Sequence, residues 1–189
     1  MRGRPANPPE IQAFKASTAD RPAPRYSARM SPYMTRIVGL LGDRDPVEVI
    51  AETPGRLAAL APRLAPDLSY GPGKWTAREI VCHLADVELA EGFRLRQVLA
   101  GAPEMQPFDQ DRWVERYAGL GLDLALAAFT QARAWDLALI RGLDAHDLAL
   151  SAHHPERGQV SVSLMLRFRA GHDLNHLAQL ETIAGQTPG

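Results

Sequence analysis

The sequence predicts an all-α fold, a four-helix bundle, and three observations carry that reading. Four segments of roughly 20 residues repeat apolar side chains at helical spacing, strand signals are scarce, and turn residues fall between the segments. The 189 residues suit one domain with a substantial core. Hydrophobic residues make up 46% and aromatics 6%, so that core is built mostly from Leu, Ala, Val and Ile.

Each element has its own warrant. Residues 1–29 hold five prolines, six basic and two acidic residues and almost no apolar periodicity, which predicts an irregular arm ahead of a bundle domain over 30–189. The first helix is expected over 46–65, with Asp45 as N-cap and Pro46 at the first helical position. Pro54 is expected to kink or restart it. The second is expected over 76–100. It follows the Gly71-Pro72-Gly73 turn, opens on the capping-box pattern Thr76-Ala77-Arg78-Glu79 and stops at Gly101-Ala102-Pro103. Residues 104–122 read as a connection holding Asp109, Asp111, Trp113 and Tyr117. The third helix, over 123–142, stops at Gly142. A loop is expected at 150–160, and the fourth helix runs over 161–185 to Gly185.

Bulk chemistry excludes several classes. Net charge is −1, and the 21 basic residues are 19 Arg and 2 Lys, so no polyanion partner is indicated. Six charges in the arm without interleaved aromatics are a weak nucleic-acid signal. One cysteine excludes an intrachain disulfide and suits a reducing cytoplasm. No apolar run reaches the ~20 residues of a membrane span, and no signal-peptide pattern opens the chain. The expectation is a cytoplasmic protein with neither nucleic-acid nor membrane partners.

Three histidines stand out. His172 and His176 are four residues apart in a helical pattern, projecting from nearly one face about 6 Å apart along the axis, a spacing at which two imidazoles can grip one metal ion. His83 lies in the second helix and can close the site from an opposing element. On its helix His83 shares a stripe with Ile80, Val87 and Ala90, and the His172/His176 pair shares one with Met165, Phe168, Gln179 and Ile183. A lone histidine on such a face is usually a satisfied core residue. Three together would each be desolvated in an interior expected to be poor in charge, a cost that a shared metal removes. Three ligands with open positions describe a catalytic rather than a structural site.

Other candidates are weaker. Asp86, three residues past His83, is either a helix-surface acid or a group that orients an imidazole or bound water. Glu79 is explained by capping and Cys82 by the core. His146, His153 and His154 are read as surface residues. His172-Asp173-Leu174-Asn175-His176 departs from the zinc-protease pattern, since Asp173 stands where the glutamate base belongs and no suitable third ligand follows. No glutamate precedes a histidine by three, which excludes the di-iron bundle pattern.

Tyr70 through Asp86, with Gly171-His172-Asp173-Leu174-Asn175-His176, resembles the DinB/YfiT-like metalloenzyme superfamily. Arg36 through Leu41, Pro107 through Asp111 and Gly158 through Val162 add to the likeness, which covers about residues 30–185. The resemblance implies a four-helix bundle whose divalent metal is held by His83, His172 and His176. Zinc or nickel comes first, with iron or manganese as alternatives. It also implies a homodimer, and relatives that are thiol-dependent S-transferases or a thiol-dependent isomerase. The expected partners are then a small-molecule thiol and an electrophile, with Asp86 as the catalytic candidate that accepts the thiol proton or orients the thiol. Metal-assisted hydrolysis and a non-enzymatic, stress-related binding role are the rivals.

Overall fold

The computed structural model describes residues 30–186, so the expected arm lies outside the described residues. The element order is α1 (Pro32–Gly39), α2 (Pro46–Leu60), α3 (Ala77–Leu99), α4 (Gln110–Val114), α5 (Leu122–Ile140), α6 (Ala145–Ala149), β1 (Ser151–His154), β2 (Gly158–Ser161) and α7 (Val162–Gln186). The four long helices are those expected. None is long and apolar enough to cross a membrane.

Local signals start the helices where the residues demand. Asp45 accepts from the Val47 and Glu48 amides above Pro46. At the head of α3 the Glu79 carboxylate accepts from the Thr76 amide at 2.7 Å and Thr76 Oγ1 accepts from the Glu79 amide at 3.3 Å, closing the capping box. Gly101, at φ +80°, takes the left-handed turn beyond α3.

Three expectations need correction. Of the two alternatives at Pro54, kink or restart, the restart does not occur, since α2 continues through it. Proline has no N–H for the Ile50 carbonyl four residues back, and Arg133 of α5 donates to that carbonyl at 2.7 Å instead. The connection after α3 contains α4. Residues 151–161 are a β-hairpin rather than a loop, pairing Ser151 with Ser161 and Ala152 with Val160. Its turn uses Gly158 at φ +74°, and Pro103 and Met105 bond along the outer edge of β1 through His153 at 2.8 Å each.

In the bundle, α2 and α3 each pack against both α5 and α7, and α1 lies on α7. A Cβ on Gly171 would stand 2.0 Å from the Ile37 carbonyl oxygen, so only glycine allows α1 this close.

Among the described residues the core has two large apolar halves and a small cluster of Met34, Ile37 and Phe168 where α1 meets α7. One half gathers Ile50, Leu95, Val98, Ile140, Met165 and Leu166, and the other Leu57, Ile80, Leu84, Phe129, Leu177 and Leu180. Between them runs a belt of buried charge. Glu88 of α3 accepts from Arg133 at 2.6 and 2.8 Å and from Arg169 of α7 at 3.0 Å. Arg133 also donates to Asp173 at 2.6 Å, Arg169 donates to Asp136 at 2.8 Å, and Asp136 accepts from Arg96 at 2.7 Å. Three carboxylates thus face three guanidiniums. Burial works against ionisation of Glu88, but Arg169 and Arg133 outweigh it and hold its carboxyl below the usual range. The charge-poor interior expected from the sequence is therefore wrong. The partners come from different helices, and periodicity does not show who pairs with whom.

Candidate metal centre

The capping box fixes the phase of α3 and so the direction of His83, two turns on. α7 supplies His172 and His176 one turn apart, and the three rings meet, each no more than 5% exposed. His172 Nε2 lies 3.0 Å from His83 Nε2 and 3.1 Å from His176 Nε2. The Trp75 ring centre is 4.7 Å from that of His83 and 6.3 Å from that of His176, with Phe168 6.0 Å from His172.

The donor set fits a divalent ion. His176 Nδ1 lies 2.8 Å from Gln179 Oε1, which accepts its proton and leaves Nε2 with a lone pair. Gln179 is itself held by a bond to the Tyr70 hydroxyl at 3.2 Å. His172 Nε2 faces two other Nε2 atoms, and one proton can bridge only one of those gaps. Two nitrogens bound to one ion at about 2.1 Å stand roughly 3.0 Å apart at right angles and about 3.4 Å apart at the tetrahedral angle. The observed separations belong to that range.

Electrostatics agree with metal-ready rings. Burial, then His176, pushes His83 down to about 3, and burial pushes His176 down to about 4 against the Gln179 bond. Burial also takes His172 well below the ordinary value. All three rings are neutral at neutral pH, so their lone pairs are available.

Neither nearby acid joins them. Asp173 turns from the cluster to Arg133, so it is a belt residue and not a protease-like base. Asp86 is buried, and its Oδ1 accepts from the Tyr117 hydroxyl at 2.8 Å. Its Oδ2 has no partner among the described residues, and burial raises its carboxyl pKa. Asp86 does not line the main cavity.

That cavity, about 560 Å³, reaches His83 and His172. Tyr33 and Met34 of α1, Val87, Glu91 and Arg94 of α3, Phe108, His154, Arg157 and Phe168 also line it. A smaller depression of about 260 Å³ reaches His176 from another side, past Arg36, Lys74 and Asn175.

The sequence matches the DinB superfamily over residues 47–180. The chain belongs to that superfamily. A candidate metal-dependent hydrolase of Oceanobacillus iheyensis is 29% identical over 119 residues, covering 62% of this chain and 69% of the relative. Another, from Bacillus pumilus, is 30% identical over 146 residues, covering 71% and 82%. YfiT from Bacillus subtilis, described as a probable metal-dependent hydrolase with an unusual four-helix bundle topology, superposes with a TM-score of 0.70. It is 21% identical, with 85% of this chain and 93% of that chain covered.

In this DinB chain, sequence reasoning found the three histidines but missed most of the cavity. His154 is 1% exposed and lines it, rather than lying on the surface. Strand alternation puts His154 on the face of buried Ala152, a pattern too short over four residues to be read before the hairpin is known. Glu91 and Arg94 sit among Val87, Leu95 and Val98, and charges within an apolar stripe were the sign that they had partners. His146 is exposed, as expected, and Cys82 packs in the second apolar half.

Proposed function

We propose that His83, His172 and His176 hold a divalent ion and that the protein is a metal-dependent thiol S-transferase. The observation that carries the reading is the convergence of three neutral Nε2 atoms beside a cavity that His83 and His172 line and that is large enough for a small organic ligand. The metal-dependent names of the relatives support the metal. Zinc or nickel suits three imidazoles best, with iron or manganese next. A bound ion would supply Lewis acidity that keeps a small thiol in its thiolate form at neutral pH.

The chain's residues supply the rest. Three neutral ligands add no negative charge, so the site favours an incoming anion, and a thiolate is a soft one. Tyr33, Phe108 and Phe168 line the cavity and give an electrophile an apolar bed. The sulfur forms a bond to the electrophilic carbon, the leaving group departs with its electron pair, and the thiol proton passes to solvent. Asp86 enters as a positioning residue, one turn past His83 and fixed by Tyr117. A homodimer belongs to the same proposal, supported by the exposed Leu89, Phe93 and Trp135.

The test is conjugation of monochlorobimane or a chlorinated arene by zinc- or nickel-loaded protein with bacillithiol, mycothiol, glutathione or cysteine. Acceleration with at least one thiol is expected, and failure with all four overturns the transferase reading. Metal-dependent hydrolysis, which the relatives' names favour, predicts turnover of an ester or amide with no thiol present.

A further inference from the structure

The cavity has a second chemical end, away from the histidines. Glu91 Oε1 accepts from Arg94 at 2.7 Å and from Arg157 at 3.2 Å, so one carboxylate faces two guanidiniums. Burial opposes the Glu91 charge, but Arg157 and Arg94 outweigh it, and the pair of cations leaves this end positive. Two other acids line the cavity, Asp109 and Glu156. Both are exposed at its rim, and Asp109 is paired with Arg112 at 3.4 Å.

The two arginines differ in how far they are committed. Arg94 gives Nη1 to Glu91 and both Nε and Nη2 to the Gln106 carbonyl. Arg157 gives Nη1 to Glu91, while its Nε and Nη2 make no hydrogen bond among the described residues. Its guanidinium carbon lies 4.4 Å from the Phe168 ring centre, and Phe168 is one helical turn before His172.

His154 adds a second, independent sign. Its Nδ1 accepts from the Glu156 amide at 3.2 Å, which places the proton of the neutral ring on Nε2. That Nε2 is buried without a partner among the described residues, in a side chain that lines the cavity. A buried donor lacking an acceptor marks a place where a ligand acceptor belongs.

The geometry points to a carboxylate subsite: Arg157, with His154 beside it, receives the carboxylate of a small ligand whose other end reaches His83 and His172. The spare Nε and Nη2 form the fork that matches a carboxylate in two parallel bonds. One aromatic ring separates this fork from His172, so the ligand is short. Combined with the proposed function, on which this part rests, the ligand is a mercapto acid or a thiol carrying a carboxylate a few bonds from sulfur.

The experiment titrates full-length zinc-loaded protein calorimetrically with three probes: 3-mercaptopropionate, its primary amide, and butyrate. Wild type should bind the acid about tenfold or more tighter than the amide. Arg157→Gln should bring the two affinities together by weakening the acid alone, and Arg157→Lys should keep part of the preference. Melting curves accompany each variant. If Arg157→Gln does not fold, the acid-to-amide ratios of Arg157→Lys and His154→Phe decide, and both must fall. Equal binding of acid and amide by wild type, or a ratio unchanged in the variants, overturns the subsite and leaves the thiol reading intact. Butyrate bound as tightly as the mercapto acid, and lost in Arg157→Gln, sinks the thiol reading and upholds the subsite.

Discussion

Each of the three histidines turns Nε2 inward, so what distinguishes them is the other ring nitrogen. His176 Nδ1 is held by Gln179, whereas Nδ1 of His83 and His172 has no partner among the described residues. Changing any one of the three to Ala should abolish stoichiometric metal binding by elemental analysis, while His146→Ala, His153→Ala and His154→Ala retain it. Retained metal in His83→Ala would remove α3 from the site. Asp86→Asn should slow turnover about tenfold or more while metal content holds. Tyr117→Phe, which frees Asp86 Oδ1, should shift the acid limb of the pH–rate profile, a change that loss of packing alone would not produce. For metal-free protein the direction with pH is fixed. His83 and His176 have folded values of about 3 and 4, below the ordinary 6.5, so between those limits the unfolded chain binds protons that the native state refuses. Their contribution is complete above about pH 6.5 and is lost as pH falls towards 4, and urea midpoints across that window should fall accordingly.

Elements whose signals are local were legible, and those built from distant partners were not. Asp45-Pro46 and Thr76 with Glu79 act within one turn, so they locate α2 and α3 directly. The i,i+4 histidines likewise declare their shared face on α7. The hairpin escaped because its strands have four residues each, too few for alternation to stand out against a His-His-Pro-Glu-Arg-Gly run that reads as a turn. Arg157 and Glu91 are 66 residues apart, and nothing in either neighbourhood announces the other. The approach of α1 to α7 was equally silent, although it depends on one missing methyl group. Gly171→Ala should push α1, through the Ile37 carbonyl, away from α7 and destabilise the fold by about 1–3 kcal/mol. Because α1 brings Tyr33 and Met34 to the cavity, the same variant should bind cavity ligands more weakly, measurable by calorimetry beside its melting curve.

Across the whole molecule, the charged belt ties all four long helices at mid-height. Arg133 is 0% exposed and touches α2, α3 and α7 from α5. Arg133→Met would leave Glu88 and Asp173 short of a buried cation, and chemical denaturation should report a loss of about 3–5 kcal/mol. Arg96→Ala, at the solvent end of the belt, should be much milder, since Asp136 keeps Arg169. The belt also bears on α7 as a rotor. His172 and His176 look out along one direction of that helix, and Arg169 and Asp173 along another roughly 60° round the axis. A ring nitrogen about 6 Å from the axis travels roughly 1 Å for every 10° of roll. The bonds from Arg133 to Asp173 and from Arg169 to Glu88 therefore act as a detent, clicking α7 into the one angular setting at which its imidazoles meet His83. Asp173→Asn changes no proposed ligand, yet by loosening that detent it should raise the dissociation constant for metal, and the centre would drift out of tune before the bundle came apart.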